Sequence, residues 1–162
     1  MQANEDWNTA RAAELITAGQ TLEGPLLPIL HSFVETFGYV PEPAEPMIAE
    51  ALNLSRAEVH GVVTFYHDFR REPAGDHVVK LCRAEACQSA GCEALADHLT
   101  EKLGIAFGET TRDGRVTLEP IYCLGLCAVS PAAMIDGRLV ARLDTKKLDK
   151  ALEHLDLEEV VR

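Results

Sequence analysis

The sequence predicts an α+β protein, an N-terminal helical bundle over residues 1–75 followed by an α/β domain with a mixed sheet over residues 76–162. Three observations predict it. Apolar residues recur at helical spacing as far as Phe69 and at strand spacing from Val78 onward. Charge is unevenly shared, with 12 acids and 4 bases in residues 1–76 against 14 acids and 11 bases in residues 77–162. Between the two parts lies Arg71-Glu72-Pro73-Ala74-Gly75-Asp76, a breaker-rich stretch suited to a boundary.

The first element is a helix over about residues 5–18, carried by Trp7, Ala10 and Leu15. A second runs from Pro25, a residue tolerated in a first turn, through Leu26, Leu30, Phe33, Val34 and Phe37 to a stop at Gly38. Its continuous apolar stripe needs another element to cover it. Pro41, Pro43 and Pro46 break the chain before a short helix at Met47, Ile48, Ala51 and Leu52. Ser55-Arg56-Ala57-Glu58 is a capping box, in which serine and glutamate satisfy each other's orphan amides, and it opens a helix through Val59, Val62, Val63, Tyr66 and Phe69. Val78, Val79 and Leu81 then form a short buried strand leading to Cys82. A helix over residues 91–103 is stopped by Gly104, and Asp113-Gly114 turns the chain into a strand at Val116, Leu118 and Ile121. Asp136-Gly137 joins strands at Ala133 to Ile135 and Leu139 to Leu143, and a helix from Thr145 to Leu155 closes the order. Such an order stacks helices against a mixed sheet.

The formal net charge of -11 argues against a nucleic-acid or anionic-membrane partner, because phosphate affinity comes from clustered cations. With 47% hydrophobic and 25% charged residues the composition is that of a globular protein. No stretch reaches the roughly 20 apolar residues of a spanning helix, and the start, MQANEDWNTARAAE, is acidic and amphipathic, so direct membrane insertion is excluded and a cytoplasmic location is expected. Five cysteines there are poor candidates for structural disulfides.

Their spacing is the most informative feature. Cys82-x4-Cys87 and Cys123-x3-Cys127 are separated by 35 residues, with Cys92 five positions beyond Cys87. Both pairs follow strands, where loops at the carboxyl ends of an open sheet converge on ligands. Four thiolates from two loops complete either a tetrahedral zinc site or an iron–sulfur cluster. Zinc knuckles favour pairs two residues apart, so the wider spacing favours the larger object. From Pro120 to Ile135 no side chain is charged, which predicts a low-dielectric wall that excludes water. Gly125 and Gly91 are placed to let backbone amides turn toward sulfur. No Cys-x-x-Cys pair supports a redox dithiol.

The cysteine pattern, together with Glu58-Val59-His60-Gly61-Val62-Val63-Thr64-Phe65-Tyr66, resembles the thioredoxin-like [2Fe–2S] subunit family. That family includes the small flavin-module subunit of complex I, subunits of NAD-reducing hydrogenases and the gamma subunit of soluble NAD-dependent formate dehydrogenases. Cys82-Arg83-Ala84-Glu85-Ala86-Cys87-Gln88-Ser89 and the run from Gly61 to Phe69 most resemble the formate dehydrogenase gamma subunit. The resemblance covers roughly residues 22–145. It implies a thioredoxin-like second domain and one [2Fe–2S] cluster ligated by Cys82, Cys87, Cys123 and Cys127, two cysteines per iron. It also implies a non-catalytic electron-transfer subunit of an oxidoreductase complex, working beside a flavin- and NAD-binding subunit and a molybdenum- or tungsten-containing formate dehydrogenase subunit. A complex I or NAD-reducing hydrogenase subunit is the first alternative and a zinc-stabilised adaptor the second.

Cys92 departs from that ligand set and is expected to be a free helical thiol. His60 and His67 have no carboxylate at ligand spacing and are expected to pack or face solvent, and Arg83 and Arg138 are expected to be exposed. Tyr66, Phe65 and Phe69 suit helix packing or a subunit interface. Ser130-Pro131, just before a strand, is a candidate cis peptide. No phosphate loop, nucleophile elbow, or flavin or nicotinamide fingerprint is present, so no catalytic residue is assigned.

Overall fold

The computed structural model describes residues 5–155; the ends of the two expected domain ranges, residues 1–4 and 156–162, lie outside the described residues. The chain divides between Pro73 and Ala74 into two compact units.

Four helices make the first unit: α1 (Thr9–Gly19), α2 (Leu26–Phe37), α3 (Ala44–Leu52) and α4 (Arg56–Phe65). Local chemistry sets their ends. The Asn8 side chain accepts from the Arg11 amide at 2.7 Å to start α1, and Gly38 stops α2 at φ 82°, a conformation that costs glycine little. The Ser55–Glu58 capping box is formed in both directions. The α2 stripe is buried as its period requires: Ile29, Leu30, Phe33 and Phe37 pack with Ile16 of α1, Ile48 of α3 and Val59 and Val63 of α4. Trp7 closes this core edge-on to Phe37, with ring centroids 5.4 Å apart. Helix α4 is shorter than its apolar spacing predicts. It ends at Phe65 because Tyr66 turns to extended backbone, and Phe69 reaches the core from the following turn instead.

The second unit is built on strands β1 (His77–Cys82), β2 (Val116–Ile121), β3 (Ala132–Ile135) and β4 (Arg138–Ala141), ordered β2-β1-β3-β4. β1 and β2 are parallel, whereas the β1–β3 and β3–β4 pairs are antiparallel, so the sheet is mixed. Between β1 and β2 run a five-residue helix α5 (Glu85–Ser89), which the sequence pattern does not predict, and α6 (Cys92–Leu103); α7 (Thr145–Leu152) follows β4. Alternation buries Val79 and Leu81 of β1, Val116 and Leu118 of β2 and Ala133 and Ile135 of β3 against Leu95, Leu99 and Leu103 of α6 and Leu148 and Leu152 of α7. The hairpin turn takes Asp136 and Gly137 at φ 49° and 79°, as a two-residue turn matched to strand twist requires. Asp136 also accepts the Val78 amide at 2.8 Å and meets His77 Nδ1 at 2.8 Å, so the turn holds the start of β1. β4 ends at Ala141, two residues before the expected Leu143, because Arg142 adopts φ 51° and leaves the ladder. Among the described residues no helix is long and apolar enough to cross a membrane.

Helices α6 and α7 are tied by Asp149, which lies 2.6 Å from Lys102 Nζ and 2.9 Å from His98 Nε2. These hydrogen bonds, Lys102 first and His98 second, lower the Asp149 pKa. A carboxyl whose folded pKa is depressed adds stability above its unfolded value, near about 3.9, and that stability is lost as pH falls through the folded value. Because Asp149 is 38% exposed, solvent screening limits the effect. Asp149→Asn is therefore expected to cost under about 1 kcal/mol at pH 7 and nothing measurable at pH 2, where both proteins are uncharged at this site. Denaturant titrations at the two pH values check it; an equal loss at both would show a packing effect instead.

Candidate metal centre

The parallel pairing of β1 and β2 decides where the cysteines go. Cys82 is the last residue of β1, and its partner across the ladder is Ile121, the last residue of β2. The Arg83 amide donates to the Ile121 carbonyl at 2.8 Å, extending the pairing one step. The two loops therefore leave the sheet side by side at the carboxyl ends of adjacent strands. Helix α5 turns the first loop back and buries Cys87. In the second loop Cys123 takes φ 100° and Gly125 φ 75°, a reversal that leads to a single 3₁₀ turn over Cys127–Val129.

All five cysteines are free, and four of them form two pairs. The Cys87 thiol is hydrogen-bonded to Cys82, and Cys123 Sγ lies 3.7 Å from Cys127 Sγ. The first pair is buried and the second exposed. Burial raises the pKa of the Cys82 thiol, but the amide of Ala84, the Cys87 thiol and the amides of Cys123 and Leu124 all donate to its sulfur and together bring it below the ordinary value. Two of those amides come from the second loop, so Cys82 is the sulfur on which both loops converge. Cys87 is pushed up to about 11, first by burial and then by its role as donor to Cys82, while the Ala132 amide at the start of β3 opposes the rise. Hydrogen bonding with Cys123 raises Cys127.

Gly125 meets expectation, its amide donating to Cys123 Sγ at 3.4 Å. Gly91 does not: its amide bonds the Gln88 carbonyl at 2.9 Å, ending α5, and the sulfur-directed amides of Ala84, Cys123, Leu124 and Ala132 come from positions that residue type gave no reason to single out. The expected water-excluding wall also fails. In this chain Tyr122 is 72% exposed and Cys123 and Cys127 are exposed, because absence of charge lowers polarity but covers nothing. Cys92 opens α6 and is fully buried against Cys82 and Cys87.

Two further expectations change. His60 does have a carboxylate partner: its Nδ1 lies 3.1 Å from Glu45 Oε2, and Arg71 stands 3.2 Å from Glu45 Oε1. Glu45 sits 15 residues away on α3, beyond the reach of any local ligand spacing, and as a buried carboxylate it needs these partners. Arg83 is not simply solvated, since it pairs with Glu93 at 2.6 Å. Ser130-Pro131 is cis.

The donor set fits an iron–sulfur cluster. Among the described residues no group of three or more His, Cys, Asp and Glu side chains is gathered to hold a single metal ion. Two thiol pairs, with backbone amides aimed at sulfur, are instead the grouping that suits a two-metal object.

Comparison with known proteins agrees. The family model described as thioredoxin-like [2Fe–2S] ferredoxin matches residues 12–156. A small NADH-quinone oxidoreductase subunit of Pseudomonas aeruginosa is 43% identical over 99 residues, covering 61% of this chain and 60% of that protein. The HndA subunit of the NADP-reducing hydrogenase of Solidesulfovibrio fructosivorans is 31% identical over 130 residues, covering 80% and 76%. A crystal structure of a NAD+-reducing [NiFe]-hydrogenase in the air-oxidized state superposes with a TM-score of 0.68 at 28% identity, over 83% of this chain. The match spans only 23% of that hydrogenase chain and under two thirds of the Pseudomonas protein.

Proposed function

The chain belongs to the thioredoxin-like [2Fe–2S] ferredoxin family, whose cofactor is a [2Fe–2S] cluster, and on that premise we propose that it is the electron-transfer subunit of a multisubunit oxidoreductase. Cys82 and Cys87 hold one iron and Cys123 and Cys127 the other. The observation that carries this reading is the side-by-side exit of two thiol pairs from parallel β1 and β2, with the amides of the second loop donating to Cys82. When bound, the cluster supplies one-electron transfer; the chain supplies position, hydrogen bonds to sulfur and partial shielding from water. The buried Cys82–Cys87 pair anchors the inner side and the exposed Cys123–Cys127 pair faces outward.

The partner is a flavin- and NAD-binding subunit, and the complex is of the NADH-quinone oxidoreductase or NAD(P)-reducing hydrogenase kind. The names of the relatives support this assignment better than a formate dehydrogenase. The finer formate dehydrogenase reading rests on the segments Cys82 to Ser89 and Gly61 to Phe69, and a co-purifying molybdenum or tungsten subunit would favour it.

Iron and zinc content, visible absorption and low-temperature EPR before and after dithionite, on chain purified anaerobically, test the cluster reading. Two irons per chain and a spin-half signal on reduction are expected. Stoichiometric zinc with no colour and no signal, in chain treated anaerobically with iron and sulfide, would replace it with a structural adaptor.

A further inference from the structure

One charged pair stands beside the buried cysteines. Arg83 follows Cys82 directly and is held from three sides. Its amide is bonded to Ile121, its guanidinium lies 5.0 Å from the Phe107 ring centre, and its Nε and terminal nitrogen reach the two Glu93 oxygens at 3.4 and 2.6 Å. Such a two-point contact fixes the guanidinium far better than a single one does. Glu93 in turn lies 3.8 Å from the Cys92 thiol, and Cys92 packs in one buried cluster with Cys82 and Cys87. A cation and an anion are thus locked at one side chain's remove from two of the four sulfurs. An exposed surface arginine would sample many positions and average its field away; this one does not.

We propose that Arg83 and Glu93 are positioning residues that set the reduction potential of the cluster by opposed charges, the arginine favouring the added electron and the glutamate opposing it. The inference rests on the cluster assignment above and goes beyond it. Adding an electron makes the cluster more negative, so a nearby cation stabilises the reduced form and a nearby anion the oxidised form. In the intact pair the two fields largely cancel. Removing one member unmasks the other, and the two removals act in opposite directions. Arg83 is 31% and Glu93 52% exposed, so solvent and salt screen both and the effect is modest.

The test is an EPR-monitored redox titration of the full, cluster-loaded chain as wild type, Arg83→Gln, Glu93→Gln and the double variant. At the wild-type midpoint the reduced-to-oxidised ratio is expected to fall about three- to tenfold in Arg83→Gln and rise by a similar factor in Glu93→Gln, a tenfold change being about 59 mV for one electron. The double variant should return close to wild type, and Arg83→Lys, which keeps the charge, should move less than Arg83→Gln. Unchanged midpoints, or shifts of both single variants in one direction, would overturn the inference while leaving the cluster assignment intact. Should Arg83→Gln fail to hold its cluster, Glu93→Gln decides alone: a raised midpoint supports the pair, a lowered or unchanged one overturns it. A wild-type chain with no iron and no reduced signal would instead remove the cluster assignment itself.

Discussion

Serine in place of Cys82 is expected to reduce iron occupancy at least about tenfold, the scale on which even outer partners of metal ligands act. Cys82 is 2% exposed and receives three backbone amides, two of them from the opposite loop. A serine oxygen is smaller, holds its proton more tightly and offers those amides a poorer acceptor. Cys87→Ser should behave likewise, since that sulfur is also 2% exposed. At the exposed Cys123 and Cys127 water and chain motion can compensate in part, so serine there should lower occupancy less and alter the absorption and EPR of what remains. Cys92→Ser is the internal control. Its thiol is buried beside the site but belongs to neither sulfur pair, so iron content should stay near wild type. Iron per chain and visible absorbance measured across the five variants check the set; loss of iron in Cys92→Ser alone would overturn the ligand assignment.

The second large effect lies in the helical unit. Phe33→Ala is expected to destabilise that unit by about 3–5 kcal/mol, the usual cost of emptying a buried aromatic site. Phe33 is fully buried, with ring centroids 6.3 Å from Trp7 and 5.6 Å from Phe37, at the centre of the α2 stripe. Collapse around the gap is limited because three other helices pack on the same stripe. Trp7 is the single tryptophan in the chain, so its fluorescence during denaturant unfolding reports this unit directly. Leu139→Ala, at a residue 55% exposed, should change stability by no more than about 0.5 kcal/mol. A midpoint shift for Phe33→Ala no larger than that control's would show that the stripe does not hold the unit together.

What was legible in the sequence was what depends on neighbours along the chain. The Ser55–Glu58 capping box, the Gly38 stop, the Asp136-Gly137 hairpin and the α2 stripe are local, and all are in the structure. The spacing carries helix α4 too far because the apolar pattern that fills a helix face continues to Phe69, and periodicity cannot tell a last helical turn from a turn that reaches the same core. Helix α5 leaves no trace in the pattern because five residues carry too little periodicity to register.

The sequence by itself determined which elements form, in what order, and that two cysteine pairs follow two strands. Only the tertiary structure decided that those strands are adjacent and parallel, and that pairing is what sets Cys82 beside the second loop. Likewise it alone decided that Glu45 is buried between His60 and Arg71, and that Arg83 and Glu93 are locked together across ten positions. The physical reason is the same in each case. Caps, turns and periods are fixed by interactions within a few residues, whereas sulfur-directed amides and charge pairs are set by where the sheet and core bring distant backbone together, which no local spacing encodes.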